Sequence, residues 1–181
     1  MYLNIITPCS RPENLKAIEE SINIPKRNYR WIVVFDREEI PTDIYLPKIA
    51  EYYCYKQWNS CVGHAQRNYG INIIEKGHIY FNDDDTIIHQ DLWQNIKNHK
   101  DVDFISFIQS DKNNNIRLIG DNINIGFIDS HNFIVKYEIA KKELFEVNLY
   151  YADGVFAKKC YDNSNKVLYI PKVLSIYNYL R

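Results

Sequence analysis

Residues 31–35, Trp-Ile-Val-Val-Phe, form an unbroken apolar run that stops abruptly at Asp36 and Arg37. Such a run suits a strand covered on both faces, the situation of strands in a parallel sheet flanked by helices. The preceding sequence supplies a matching strand and helix. Residues 2–6 are a short apolar run, after which the chain is expected to turn through Thr7, Pro8 and Cys9. Ser10 and Glu13 then stand three apart with Pro12 between them, the pattern of a capping box with Pro in the first helical turn. Leu15, Ile18 and Ile22 follow at helical spacing, with Pro25 just beyond.

The same alternation continues. Pro41 and Pro47 bracket a loop, and residues 51–56 read as another short strand. From Gly63 the pattern is helical, with Ala65, Tyr69 and Ile73 four apart and Arg67 and Asn68 off that face. Gly70 costs this helix about 1 kcal/mol relative to Ala, and Gly77 ends it. The second half reads as a hairpin (104–108 and 116–119 around the polar turn 110–115) followed by a polar segment over 121–126. A strand over 127–135 is interrupted by Asp129, Ser130 and His131. Helices are expected over about 138–146 and 155–161, and short strands over 167–170 and 173–177. Strand and helix alternating in this way predict an α/β sandwich of three layers around a mainly parallel mixed sheet.

In such sheets ligands bind beyond the carboxyl ends of the strands, and three polar sites are expected at that edge: Thr7, Asp36, and the acidic run Asp83, Asp84, Asp85 after the apolar run 78–81. In an ideal strand Asp83 and Asp85 share a face and Asp84 points the other way. Crowded carboxylates repel unless one takes up a proton or a cation sits between them. Hard divalent ions take oxygen ligands and often arrive with substrate phosphates. The acids therefore read either as a metal–diphosphate platform or as a surface turn that caps the next helix.

At 181 residues the chain is expected to be one domain. Its net charge of −1 speaks against a nonspecific nucleic-acid binder. Cys9, Cys54, Cys61 and Cys160 are scattered without zinc spacing, no apolar stretch reaches the ~20 residues of a membrane span, and the N-terminus does not read as a signal peptide. Free thiols in a reducing, cytoplasmic setting are the expectation.

The residues resemble, in order, the motifs of nucleotide-sugar glycosyltransferases of the GT-A fold, nearest to family 2. Asn4-Ile-Ile-Thr-Pro with Arg11 and Leu15 resembles the family's first strand and helix, and the run ending at Asp36 its second strand, whose terminal acid hydrogen-bonds the nucleobase. Gly63-His-Ala-Gln-Arg-Asn-Tyr-Gly resembles the element whose Arg, here Arg67, borders the nucleotide. The strand before Asp83 and Asp85 resembles the one that ends in Asp-x-Asp, and Tyr151-Ala-Asp-Gly lies where inverting members keep their base, here Asp153.

The resemblance implies a GT-A-like domain with a nucleotide-sugar-binding half over about 1–100 and an acceptor-binding half over about 101–181. It implies transfer of a sugar from a nucleoside diphosphate donor, with UDP the expected nucleotide, to a glycan or other hydroxyl acceptor. Asp83 and Asp85 would hold Mn²⁺ or Mg²⁺, which neutralises the departing diphosphate. Thr7, Asp36, Arg67, Asp83 and His131 are further candidate substrate contacts, Asp84 a candidate ribose contact, and Asp153 the candidate general base. Each has a plainer alternative: strand-end residues, a solvated Arg, a structural His, an Asp at a helix N-cap. His64 and His89 read as structural. The family's second acidic motif is reduced to one acid, and residues 177–181 offer no His for the metal. The chain is short for the fold, so it is expected to have a minimal acceptor half or to be one module of a longer polypeptide. A sugar-phosphate nucleotidyltransferase and a non-catalytic nucleotide- or glycan-binding module are the alternatives.

Overall fold

A computed structural model describes residues 1–57 and 62–181. The strands are β1 (Leu3–Cys9), β2 (Tyr29–Phe35), β3 (Ala50–Cys54), β4 (His78–Phe81), β5 (Ile87–Ile88), β6 (Phe104–Asp111), β7 (Ile116–Leu118), β8 (Phe133–Lys136) and β9 (Val167–Tyr177). The helices are α1 (Leu15–Ser21), α2 (His64–Asn72), α3 (Leu92–Ile96), α4 (Tyr137–Ala140) and α5 (Ala152–Asp162). One mixed sheet runs β3-β2-β1-β4-β8-β6-β9-β5, with β7 paired to β6. Its first half, β3-β2-β1-β4, is wholly parallel, while β8 is antiparallel to both β4 and β6, and β9 is parallel to β6.

Strand alternation builds two cores. Leu3, Ile5, Trp31, Val33 and Phe35 point to one face and pack with Leu15 and Ile18 of α1 and Leu92 and Ile96 of α3. Ile6, Ile32, Val34 and Phe81 point to the other, against Ile71 of α2 and Phe156, Ala157 and Cys160 of α5. The sandwich therefore has three layers, as expected. Gly70 is what brings α2 close, since a Cβ there would lie 2.7 Å from Ile6 Cγ2.

Several boundaries differ from expectation. β1 does not turn at Thr7 but runs on through Cys9, pairing with β2 to Phe35. The helix expected over 138–146 is only the single turn α4, whereas α5 begins earlier than expected, at Ala152. The two short terminal strands are one strand, β9, whose register against β6 shifts around Phe107, Ile108 and Gln109, opposite Pro171. Pro lacks the N–H that an uninterrupted ladder requires, so the irregularity falls where the sequence places it. Cys9, Cys54 and Cys160 are free thiols, and Cys61 lies outside the described residues. Among the described residues no helix is long and apolar enough to cross a membrane.

Candidate functional site

A cleft of about 610 Å³ opens beyond the carboxyl ends of β1, β2 and β4. Asp36, Arg67, Asp83, Asp84, Asp85, His131 and Asp153 all line it. Thr7 does not. It is wholly buried inside β1, and its hydroxyl accepts a hydrogen bond from Trp31 Nε1 at 3.0 Å. The reason is the extra length of β1, which carries Thr7 into the core and leaves Pro8, Cys9, Ser10 and Arg11 at the cleft.

The three consecutive acids have three different fates, because β4 ends at Phe81 and they lie in the turn after it, where strand alternation no longer holds. Asp84 turns back to the exit of β1. One of its oxygens accepts from the backbone N–H of Ser10 at 2.6 Å and of Arg11 at 2.7 Å, and the other accepts Arg11 Nε at 2.9 Å. The capping box expected from Ser10 and Glu13 is thus absent. The first helical turn, a 3-10 turn at Pro12–Asn14, has no side-chain cap of its own, and Asp84 takes up the N–H groups that precede it. Asp84 is a pin between β4 and β1 in this arrangement, not a free ribose contact.

Asp83 faces the other way. Arg67 Nη2 reaches Oδ1, and His131 Nε2 lies 2.9 Å from Oδ2. Arg67 is buried at the cleft rather than being a solvated charge on its helix, the plainer of its two readings, since Asp83 supplies its counter-charge and the Phe145 ring lies 5.7 Å from its guanidinium. Gly63, at φ +80°, starts this helix; any side chain there would meet Pro8 at 2.8 Å and push α2 off the exit of β1. His131 Nδ1 in turn lies 2.9 Å from Asp129 Oδ1, and Arg117 Nη1 is 2.6 Å from Asp129 Oδ2. The network Arg67–Asp83–His131–Asp129–Arg117 therefore spans the cleft floor. Burial opposes ionisation of Asp83, but the charges of Arg67 and His131 win and hold it at about 2. Asp129 is held far below the usual carboxylate range by His131 and Arg117 against the same burial cost.

Asp85 is almost fully buried and pairs with two guanidinium groups at Oδ2, accepting a hydrogen bond from Arg11 Nη2 at 2.9 Å and forming an ion pair with Arg181 Nε at 2.7 Å. Among the described residues no group of three or more His, Cys, Asp or Glu side chains forms a ready-made metal cage. The donor set nevertheless suits a hard ion completed by phosphate oxygens. Asp85 already holds a cation at the cleft in the form of Arg181, whose side chain is 56% exposed. Asp83 is the more exposed acid, at 24% against 4% for Asp85, but both its oxygens face cationic groups that are themselves buried.

Asp36, exposed at the end of β2, accepts Gln66 Nε2 at 3.0 Å. Asp153 stands across the cleft, in the first turn of α5. It is not the N-cap, which is Tyr151, although its Oδ1 accepts the Gly154 N–H at 2.8 Å. Burial, then the nearby charge of Asp129, raises its pKa above the usual carboxylate value. Phe156, one turn further on, fixes its position. Its ring stacks on Phe145 at 4.1 Å and meets Phe81, the last residue of β4, edge-on at 5.7 Å. The acids and the candidate base are thus set by one aromatic cluster, each pair contributing about 0.5–1.5 kcal/mol beyond its burial. Gln66, Arg117, Asp129, Tyr177 and Arg181 also line the cleft and were not singled out from the sequence. Only Asp129 left a signal, as a polar break in an apolar run.

No protein-family model and no curated protein sequence matches the chain. Solved structures do. S. aureus TarS 1–349 superposes with a TM-score of 0.76 at 16% identity, over 97% of this chain and 60% of that one. TarS 1–349 in complex with UDP-GlcNAc gives 0.70 at 15% identity, over 97% and 58%. The mannosyltransferase PcManGT from Pyrobaculum calidifontis, in complex with GDP-Man and Mn²⁺, also gives 0.70, at 12% identity over 97% and 56%. The bifunctional IspDF from Campylobacter jejuni gives 0.60 at 13% identity, over 95% and 50%. The chain thus spans little more than half the length of the proteins it superposes on. Its fold is that of the GT-A glycosyltransferases.

Proposed function

We propose that this chain is the catalytic domain of a nucleotide-sugar glycosyltransferase that moves a sugar from a nucleoside diphosphate to an acceptor hydroxyl with inversion. The observation that carries the proposal is the placement of Asp153, a carboxylate with a raised pKa, across one cleft from Asp36, Arg67, Asp83 and Asp85. Asp36 is exposed and Arg67 lines the same cleft; in this reading Asp36 would meet the nucleobase and Arg67 would border the nucleotide. Asp85, with Asp83 beside it, would hold Mn²⁺ or Mg²⁺, which supplies charge neutralisation for the leaving diphosphate. His131 is a positioning group for Asp83, not an acceptor contact, since both its ring nitrogens are engaged by carboxylates. Asp153 takes the acceptor proton as the hydroxyl attacks the anomeric carbon from the face opposite the leaving group. A raised pKa brings a carboxylate nearer the pH at which it must accept that proton.

UDP is the nucleotide we expect, and the TarS complex with UDP-GlcNAc supports it; the GDP-Man complex of PcManGT makes GDP the next to try. The test is release of free nucleoside diphosphate from a panel of nucleotide sugars with Mn²⁺, together with calorimetric binding of the same donors. Asp153→Asn should keep donor binding and lose about 10²–10⁴-fold in transfer. Full activity in that variant removes the base assignment, and absence of donor binding with any cation removes the proposal.

The superposition on IspDF favours a second reading, nucleotidyl transfer. Such chemistry would need phosphate-binding amides after β1. Here the N–H groups of Ser10 and Arg11 are already donated to Asp84. Pyrophosphate release from a nucleoside triphosphate and a sugar phosphate would establish that reading instead.

A further inference from the structure

Asp85 presents an imbalance that the proposed donor site does not explain: a single carboxylate oxygen holds two guanidinium groups. They are not equivalent. Arg11 is anchored elsewhere, because its Nε and Nη2 both bond Asp84 Oδ1 while its backbone N–H bonds Asp84 Oδ2. Arg181 meets Asp85 through Nε alone, is 56% exposed, and has no hydrogen bond or ion pair from Nη1 or Nη2 among the described residues. Its other ties are through the backbone, whose carbonyl accepts Lys112 Nζ at 3.1 Å. Leu180 N–H bonds the Asp85 carbonyl at 3.0 Å and keeps the residue beside the acid.

We propose that Arg181 is the exchangeable counter-cation of Asp85: it neutralises the acid in the empty cleft, yields its place to a divalent ion, and then binds the donor's diphosphate. The inference rests on the glycosyltransferase reading for the identity of that diphosphate. Asp85 is only 4% exposed and one of its oxygens is crowded by two guanidinium groups, so an incoming divalent ion displaces the exposed one, Arg181, while Arg11 keeps the acid paired throughout. Metal entry and arginine exit are one exchange. Arg11, locked to Asp84, stays. The released guanidinium remains in the cleft wall with its two Nη groups free, a planar fork that matches phosphate oxygens.

The test is a calorimetric titration of Mn²⁺ into the wild type, Arg181→Ala and Arg181→Lys, followed by UDP with Mn²⁺ saturating. Arg181 is exposed, so the variants should keep the wild-type Tm. Without nucleotide, Arg181→Ala should bind Mn²⁺ about threefold to fivefold more tightly, the size expected for removing one exposed competing charge. With Mn²⁺ bound it should bind UDP about tenfold more weakly, while Arg181→Lys stays near wild type in the first titration. Opposite signs on the two affinities are what a merely structural residue would not produce. Unchanged or weaker Mn²⁺ binding in Arg181→Ala, with UDP still bound, overturns the exchange. Tighter Mn²⁺ with unaltered UDP affinity overturns the diphosphate contact. If no protein binds UDP or GDP with any cation, the donor reading falls, and the Mn²⁺ titration alone then decides the exchange at Asp85.

Discussion

His64 and His131 are buried to the same degree, at 1% and 2% exposure, yet one is neutral and the other cationic. His64 opens α2. Its ring stacks on Phe145 at 5.4 Å, and Arg67 Nη1 lies 3.3 Å from Nδ1. Burial, reinforced by the Arg67 charge, pushes it down to about 4, so it is neutral. His131 pays the same burial cost, but Asp83 and Asp129 flank it at 2.9 Å and lift it to about 10. Burial sets the cost of a charge, and the counter-charges within reach decide whether that cost is met. The histidine of α2 is accordingly a neutral ring stacked on Phe145 beside a cation, Arg67, whereas the histidine contributed by the second half of the chain is itself a cation between two acids.

Removing the imidazolium should show the contrast most strongly. His131→Leu leaves Asp83 and Asp129 facing each other without the cation between them, and truncating one member of a buried ionic group costs about 3–5 kcal/mol. Urea denaturation at neutral pH in EDTA measures it. A loss under about 1 kcal/mol would mean that Arg67 and Arg117 neutralise the two acids unaided. The wild type should also show the linkage. A folded-state pKa raised from 6.5 to about 10 gives stability that is complete below pH 6.5 and lost as the pH rises through 10. His131→Leu should flatten that alkaline limb.

The contrast also marks what the sequence could reveal. The parallel half is written in runs that need no partner to be recognised: residues 31–35 are buried throughout in β2, and Gly63 marks the start of α2, although the helix ends at Asn72, before the expected stop at Gly77. Asp36 and the acidic run were legible as cleft residues because a strand's carboxyl end is a position in sequence. The division of labour among Asp83, Asp84 and Asp85 was not, since it depends on groups 16, 73 and 96 positions away respectively: Arg67, Arg11 and Arg181. Thr7 was misplaced for a local reason, as Pro8 reads as a turn yet sits within β1. His131 was visible as a break in an apolar run, but its charge is held by its neighbour Asp129 together with Asp83, in the turn after β4. Tertiary ion pairs leave no periodicity behind.

His64 provides the opposite limb. Its folded pKa lies below its unfolded one, so between pH 6.5 and about 4 the unfolded chain binds the extra proton and stability falls as the pH falls. The whole effect is at most about 3 kcal/mol. His64→Phe, which keeps the stack on Phe145, should remove this acid limb while leaving the alkaline limb of His131 intact. Thermal melts from pH 4 to 7 in EDTA check it, and an unchanged acid limb would assign that loss to the carboxylates instead.

Arg117 gives the smallest effect and the sharpest discrimination. Its Nη1 is 2.6 Å from Asp129 Oδ2 and 2.5 Å from Gln109 Oε1, and its guanidinium lies 3.9 Å over the Tyr177 ring. Distance alone suggests a strong anchor for the ionic side. Exposure argues otherwise, because the side chain is 35% accessible and water screens the pair. Arg117→Met, which retains apolar contact with Tyr177, should cost about 1 kcal/mol and lose most of that difference in high salt. The imidazolium stays on Asp129 at 2.9 Å in that variant, so the buried acid keeps a partner. Were Arg117→Met instead to match His131→Leu, the charge on Asp129 would be balanced from the rim rather than from the buried ring, and the opposition between the two histidines would no longer account for how this side of the cleft is held.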